Sequence, residues 1–176
     1  MRQAAGFTLI ELMITIAIGA ILIVLGVPTM RGVIENGRIR AAGESWKYGL
    51  ALARTEAIRR NTQVEFVTDA DGWQVLIVAD GTVLHQAAGN EGASDLEMTI
   101  VDAGGADADR VTFNSLGRIV DPNPSDGSEP IAQVDLGSTN VPGVSGYHPL
   151  RLQVTAGGMT RLCDPAVAST DPRACL

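Results

Sequence analysis

Aromatic residues make up only 4% of this 176-residue chain, and cysteine and histidine occur twice each. With so few rings, any core has to be built largely from Val, Ile, Leu and Ala. Two cysteines and two histidines leave little material for a metal centre or a histidine-based triad. Composition therefore argues against an enzyme and calls for no metal and no cofactor. A basic character is also missing: the formal charge is −7 and the pI is near 4.7, which excludes a generally basic nucleic-acid-binding surface. At 18.4 kDa the chain suffices for one membrane-anchored domain.

Hydrophobic residues nevertheless reach 45%, and the charge is split along the chain. Residues 1–60 hold eight Lys/Arg against four Glu, a net of +4, and the remaining residues hold five Arg against sixteen Asp/Glu, a net of −11. Two physically different parts are implied. In the first, a short polar leader (1–6) precedes the apolar run Phe7–Val27, 21 residues long, enough for a helix to cross about 30 Å of hydrocarbon. Its one charge, Glu11, costs on the order of 2–3 kcal/mol in lipid and calls for a partner. A secretory signal cut after Gly19, at the small-x-small sequence Ala17-Ile18-Gly19, is the alternative reading. Arg31, Arg38 and Arg40 follow the run and only Arg2 precedes it, so a positive-inside count places the C-terminal side in the cytoplasm.

Gly6-Phe7-Thr8-Leu9-Ile10-Glu11-Leu12 resembles the cleavage and assembly motif of type IV pilins and type II secretion pseudopilins. The resemblance implies cleavage between Gly6 and Phe7 by a prepilin peptidase, N-methylation of Phe7, and pairing of Glu11 with the N-terminal amine of a neighbouring subunit. It implies an inner-membrane protein of a single pass with its C-terminal part in the periplasm, opposite to the positive-inside count, and incorporation into a pilus or pseudopilus. The implied partners are other pilin or pseudopilin subunits, the peptidase, and inner-membrane lipid before assembly. Pro28 stands where the family often has a proline that kinks or locally melts the helix.

Beyond Pro28 the apolar residues Ile39, Ala42, Trp46, Leu50, Ala53 and Ala57 step by three or four, the pattern of an amphipathic helix over 28–60. Arg40, Glu44, Lys47, Arg54 and Arg59 lie off that stripe, and Asn61 is a candidate cap. Gly37, Gly43 and Gly49 each cost about 1 kcal/mol in a helix interior, so tertiary packing has to hold this helix. From residue 61 the pattern turns to short strands: Gln63–Thr68, Trp73–Ala79 and Thr82–Gln86 about the turn Asp80-Gly81, then Leu96–Val101, Arg110–Asn114, Ile131–Leu136, Pro149–Thr155 and Met159–Cys163. Loops at 102–109, 121–130 and 137–146 separate them. The acidic ones lack EF-hand spacing and read as solvated surface. The expected fold class is α+β, pilin-like, with a long N-terminal hydrophobic helix packed on antiparallel sheet and a β domain over 61–176.

Val111-Thr112-Phe113-Asn114-Ser115-Leu116-Gly117-Arg118 is similar to the strand-and-turn segment of the GspH/FimT branch of that family. Read locally, Asn114 can bond its own backbone and Gly117 can take positive φ. In the exported domain that the resemblance implies, Cys163 and Cys175 pair and close a C-terminal loop. Gly158-Met159-Thr160-Arg161 resembles the Gly-Arg-x-Arg motif that precedes the first cysteine in FimT-like minor pilins and is implicated in DNA binding. Arg161 matches, while Met159 replaces the first arginine. Arg151 and Arg173 lie nearby in sequence, so these three arginines form a candidate DNA-binding tip, and two or three phosphate contacts would give weak, salt-dependent binding. The alternative is that Arg161 braces the cysteine loop or pairs with Asp164 or Asp171.

Overall fold

A computed structural model describes residues 8–69, 72–88, 96–138 and 148–175, with backbone alone for 23–31 and 88. The expected cleavage site at Gly6 and Phe7 lies outside the described residues, as does most of the 137–146 loop. One long helix, α1 (Leu9–Arg60), opens at Thr8 with a capping box: Thr8 Oγ1 accepts from the Glu11 N–H at 3.3 Å and Glu11 Oε2 from the Thr8 N–H at 3.5 Å. The helix closes at Asn61, whose left-handed backbone (φ 52°) lets its N–H reach the carbonyls of Ala57 and Ile58. In its last turn Arg59 and Arg60 grip the Glu56 carboxylate at 2.6 Å and hold its pKa down to about 2. The helix is continuous from Leu9 to Arg60, so of the two effects the family resemblance allows at Pro28, a kink or a local melt, the melt does not occur. Proline removes one hydrogen bond, and the bonds of the flanking turns carry the helix across.

The described side chains of the apolar run are those of residues 8–22, and they are exposed. Among the described residues no helix is long and apolar enough to cross a membrane.

The second part of α1 buries the stripe its periodicity predicts. Ile39, Trp46, Leu50, Ala53 and Ala57 are all at most 3% exposed. They pack on two antiparallel sheets. Sheet A, in the order β3-β2-β1-β5-β6, comprises β1 (Val64–Asp69), β2 (Gly72–Ile77), β3 (Val83–Ala88), β5 (Arg110–Phe113) and β6 (Ile119–Val120). Sheet B, in the order β4-β7-β8-β9, comprises β4 (Leu96–Val101), β7 (Gln133–Ser138), β8 (Leu150–Val154) and β9 (Thr160–Cys163). The helix touches β1, β2 and β5 of the first and β7, β8 and β9 of the second, so one core runs under both. Gly49 sets the closeness of that approach: a Cβ there would stand 2.7 Å from Phe66 and 3.0 Å from Trp73. Trp46, Phe66 and Trp73 stack in series at centroid distances of 5.4 and 5.6 Å, worth about 1 kcal/mol per pair beyond their buried area. A chain poor in rings has placed three of them where α1 meets β1 and β2.

Sheet A is tied to the 121–128 loop by a buried polar cluster. Glu65, 2% exposed, accepts from Thr112 Oγ1 at 3.1 Å and from Ser125 Oγ, with Arg110 beside it at 3.8 Å. Asn123, fully buried, accepts the Thr112 N–H at 3.0 Å and donates to Ser128 Oγ at 3.2 Å. The loop is thus fastened through side chains, which a buried carboxylate requires.

Candidate functional site at the C-terminal loop

The chain doubles back twice at its C-terminal end, and both reversals depend on local chemistry. Between β8 and β9, Gly158 takes φ +75°, its N–H reaching the Thr155 carbonyl at 2.7 Å. A side chain here would collide with the carbonyl oxygen of Gly117, in the turn after β5. That second turn is built as its residues predict: Asn114 Oδ1 accepts from the Leu116 and Arg118 N–H groups at 2.9 and 3.1 Å, and Gly117 takes φ +72°. Arg54 of α1 donates to the Gly117 carbonyl at 2.9 Å and fixes both turns to the helix. Met159 is displayed from this junction with 65% of its surface exposed.

After β9 the chain loops out and returns, closed by the disulfide Cys163–Cys175 (Cα–Cα 5.0 Å). The Asp164 N–H donates to the Arg173 carbonyl at 2.8 Å, and Asp164 forms a parallel bridge with Ala174. Arg161 completes the closure. Its Nη2 donates to the carbonyls of Ala174 and Pro172 at 3.0 and 3.4 Å. The expected brace is therefore real, but it runs to backbone oxygens and not to Asp164 or Asp171. The reason is register: β9 is the sheet's edge strand, and the returning segment lays its carbonyls along that edge. Asp164 instead meets His148 Nδ1 at 3.1 Å, and Asp171 is taken by Arg173 at 2.9 Å. The Arg173 hydrogen bond keeps the Asp171 carboxyl down at about 2.

The three candidate arginines are not equivalent. Arg151 faces its cross-strand neighbour Asp135 and binds it through two bonds, at 2.6 and 3.1 Å. Arg173 is paired with Asp171. Arg161 alone has no carboxylate partner among the described contacts. It lines a groove of about 560 Å³ between α1 and the disulfide loop, together with Arg173, while Arg151 lies outside it. The groove has an apolar floor of Leu150 and Leu162, and Asn36, Arg40 and Glu44 of α1 form the facing wall. Asn36 Oδ1 accepts the His148 N–H at 3.0 Å and holds the segment entering β8 against the helix. Sequence reasoning placed Arg40 on the polar face of the helix, but nothing local shows that this face looks at Arg161, more than a hundred residues away.

Glu11, the other candidate, is exposed in the single chain, where it caps its own helix. The spacing Thr8-x-x-Glu11 carries that role; it is a capping-box signature that the sequence reading, occupied with the buried charge, missed.

Residues 42–158 match the model of a family described as type II transport protein GspH, and residues 1–27 match the prokaryotic N-terminal methylation motif. No curated protein matches the sequence. Among solved structures, the fold is similar to the type IV minor pilin FimU of Pseudomonas aeruginosa, at 17% identity and a TM-score of 0.54, over 77% of this chain and 96% of that one. It is also similar to the minor pseudopilin EpsH from the type 2 secretion system of Vibrio cholerae, at 17% identity and a TM-score of 0.51, over 74% of this chain and 99% of that one. Both likenesses are of pilin-like folds.

Proposed function

The chain belongs to the GspH family of type II transport proteins, and from that premise we propose that it is a minor type IV pilin of the FimT-like kind. In this reading the prepilin peptidase cuts between Gly6 and Phe7 and methylates Phe7. The apolar helix waits in the inner membrane with the β domain in the periplasm, and then enters a pilus that it joins or primes. Its work is assembly with other pilin subunits and not catalysis. The methylation motif over residues 1–27 is the observation that carries the proposal, supported by a helix that begins at the very residues the motif supplies.

DNA contact by the C-terminal tip is the finer part of the proposal. Arg161 supports it, being charged, uncompensated by any carboxylate among the described contacts and at the rim of a groove. Arg151 and Arg173 contribute less, since each would have to leave an aspartate. With one to three phosphate contacts, the slope of log K against log salt should lie between about −1 and −3. The test is titration of the full chain in detergent micelles with duplex DNA across a salt series, beside Arg161→Ala. Salt-sensitive binding that falls in the variant is the expected result. No binding by the parent chain at low salt would remove the DNA role and leave the pilin role standing.

The second reading is a minor pseudopilin H, a structural subunit of a type II secretion pseudopilus. It is supported by the resemblance to EpsH, comparable in extent to that to FimU. Deletion of the gene separates the two: loss of twitching or transformation fits the pilus, and periplasmic accumulation of secreted enzymes fits the pseudopilus.

A further inference from the structure

Sheet B carries charge of opposite sign at its two edges. At the β9 edge lies the groove described above. On one wall Arg40 is exposed and makes no ion pair among the described residues. On the other Arg161 spends its hydrogen bonds on backbone carbonyls, which leave its charge uncompensated. Glu44 and Asp164 also line the groove, occupied in part by Lys47 and His148. At the opposite edge, β4 runs into the turn that begins at Asp102, and Val101 bridges to Asp107 across it. Asp102 spends its Oδ1 on the N–H groups of Gly104 and Ala106. Asp121 and Glu129 stand close to it, hydrogen-bonded to each other through their side chains: repulsion from Asp121, then burial and that hydrogen bond, and last Asp102, raise the Glu129 carboxyl above its ordinary value. No arginine or lysine is paired with these three carboxylates among the described residues. Three strand spacings, roughly 14 Å, separate the two edges.

We propose that the groove between α1 and the disulfide loop is a docking site for the Asp102–Glu129 acidic edge of a second copy of this chain. The argument is charge complementarity within one sequence. Each copy holds two guanidiniums lacking carboxylates and, one sheet-width away, carboxylates lacking cations. Contact between copies pairs them, and the planar guanidinium forks suit carboxylates in particular. The apolar floor of Leu150 and Leu162 offers the aliphatic part of such a turn a place to rest. Because donor and acceptor surfaces differ, the contact is heterologous, so it repeats head to tail and does not close as a two-fold dimer. Glu44 and Asp164 inside the groove limit its occupant to a turn with few carboxylates, whereas the proposed phosphate contact needs only Arg161 at the rim. The proposal goes beyond the pilin reading, since it names a contact between copies that neither family membership nor a DNA role requires.

The test uses the full chain in membranes, with a benzophenone amino acid in place of Gly37, which lines the groove and faces open space. Irradiation should give an adduct of twice the chain mass, mapping to residues 97–131 of the second copy. Arg40→Glu should lower its yield about tenfold, and Glu129→Arg alone should lower it as well. Combining Arg40→Glu with Asp102→Arg and Glu129→Arg should restore it. Both single changes fall on residues without ion pairs in the fold, and unchanged melting temperatures would confirm that folding is intact. An adduct to a different polypeptide or to nucleic acid overturns the proposal. So does the absence of any doubled-mass adduct, or a yield indifferent to Arg40→Glu.

Discussion

Gly37 and Gly49 are the same residue in the same helix, and the structure gives them opposite meanings. Alanine at either position gains about 1 kcal/mol of helix propensity. At Gly49 the new Cβ would stand 2.7 Å from the Phe66 ring, so the ring and its stack with Trp46 and Trp73 must move. Overpacking of that kind costs about 1–3 kcal/mol, which exceeds the propensity gain. At Gly37 nothing lies within 4 Å. Gly49→Ala should therefore lower the midpoint of thermal or urea unfolding, while Gly37→Ala should raise it, a gain of up to about 1 kcal/mol in unfolding free energy. Two shifts of equal sign would contradict this account of the helix–sheet contact. Sequence alone assigns Gly37, Gly43 and Gly49 one cost, because the ring that meets Gly49 comes from a strand whose placement periodicity does not give.

At the scale of elements, what was legible is what local periodicity controls. The apolar stripe of α1 is buried as read, Asn61 is the cap, and Leu96–Val101 is a strand with those ends. The two-residue strand Ile119–Val120 was missed because two residues carry no alternation. Expected strands Trp73–Ala79 and Ile131–Leu136 are displaced by one or two residues from β2 and β7, since hydrogen-bonded pairing and not hydrophobicity sets where a strand ends. The Glu65–Thr112–Ser125 cluster was invisible for a stronger reason. Glu65 alternates as an outward residue would, and only the long-range return of the 121–128 loop covers it. In the C-terminal loop, the disulfide and the Arg161 brace add to the Asp164–Ala174 backbone bridge in holding the returning segment to the end of edge strand β9. Closing a loop of about 13 residues contributes roughly 3 kcal/mol in the chain-entropy model. The pair Cys163→Ser with Cys175→Ser should lose about that much in denaturant unfolding. Arg161→Ala, with the disulfide intact, should cost less. It should show itself as faster hydrogen exchange at the Asp164 amide, which donates to Arg173. Unchanged exchange there would mean the disulfide alone closes the edge.

For the whole molecule, the question is what the one charge in the apolar run does. Residues 1–60 carry +4 and the rest −11, yet Glu11 lies far from the acidic part in sequence and at the opposite end of a 52-residue helix. Its role has two components that the single chain separates. One is local: Glu11 and Thr8 cap the helix, a contribution of about 1 kcal/mol. The other is the proposed pairing with a neighbour's N-terminal amine, which exists only on assembly and turns on charge, because an unpaired carboxylate in an apolar filament core is strongly disfavoured. Glutamine keeps the first and loses the second, since Gln serves in a capping box as Glu does. Alanine loses both. Glu11→Gln and Glu11→Ala should thus be similarly depleted from sheared filaments, with both chains still present in the inner membrane. Quantifying the subunit by immunoblot in filament and membrane fractions gives the comparison. Should Glu11→Gln enter filaments as the parent does while Glu11→Ala does not, the carboxylate serves the helix end and the pairing account of assembly fails.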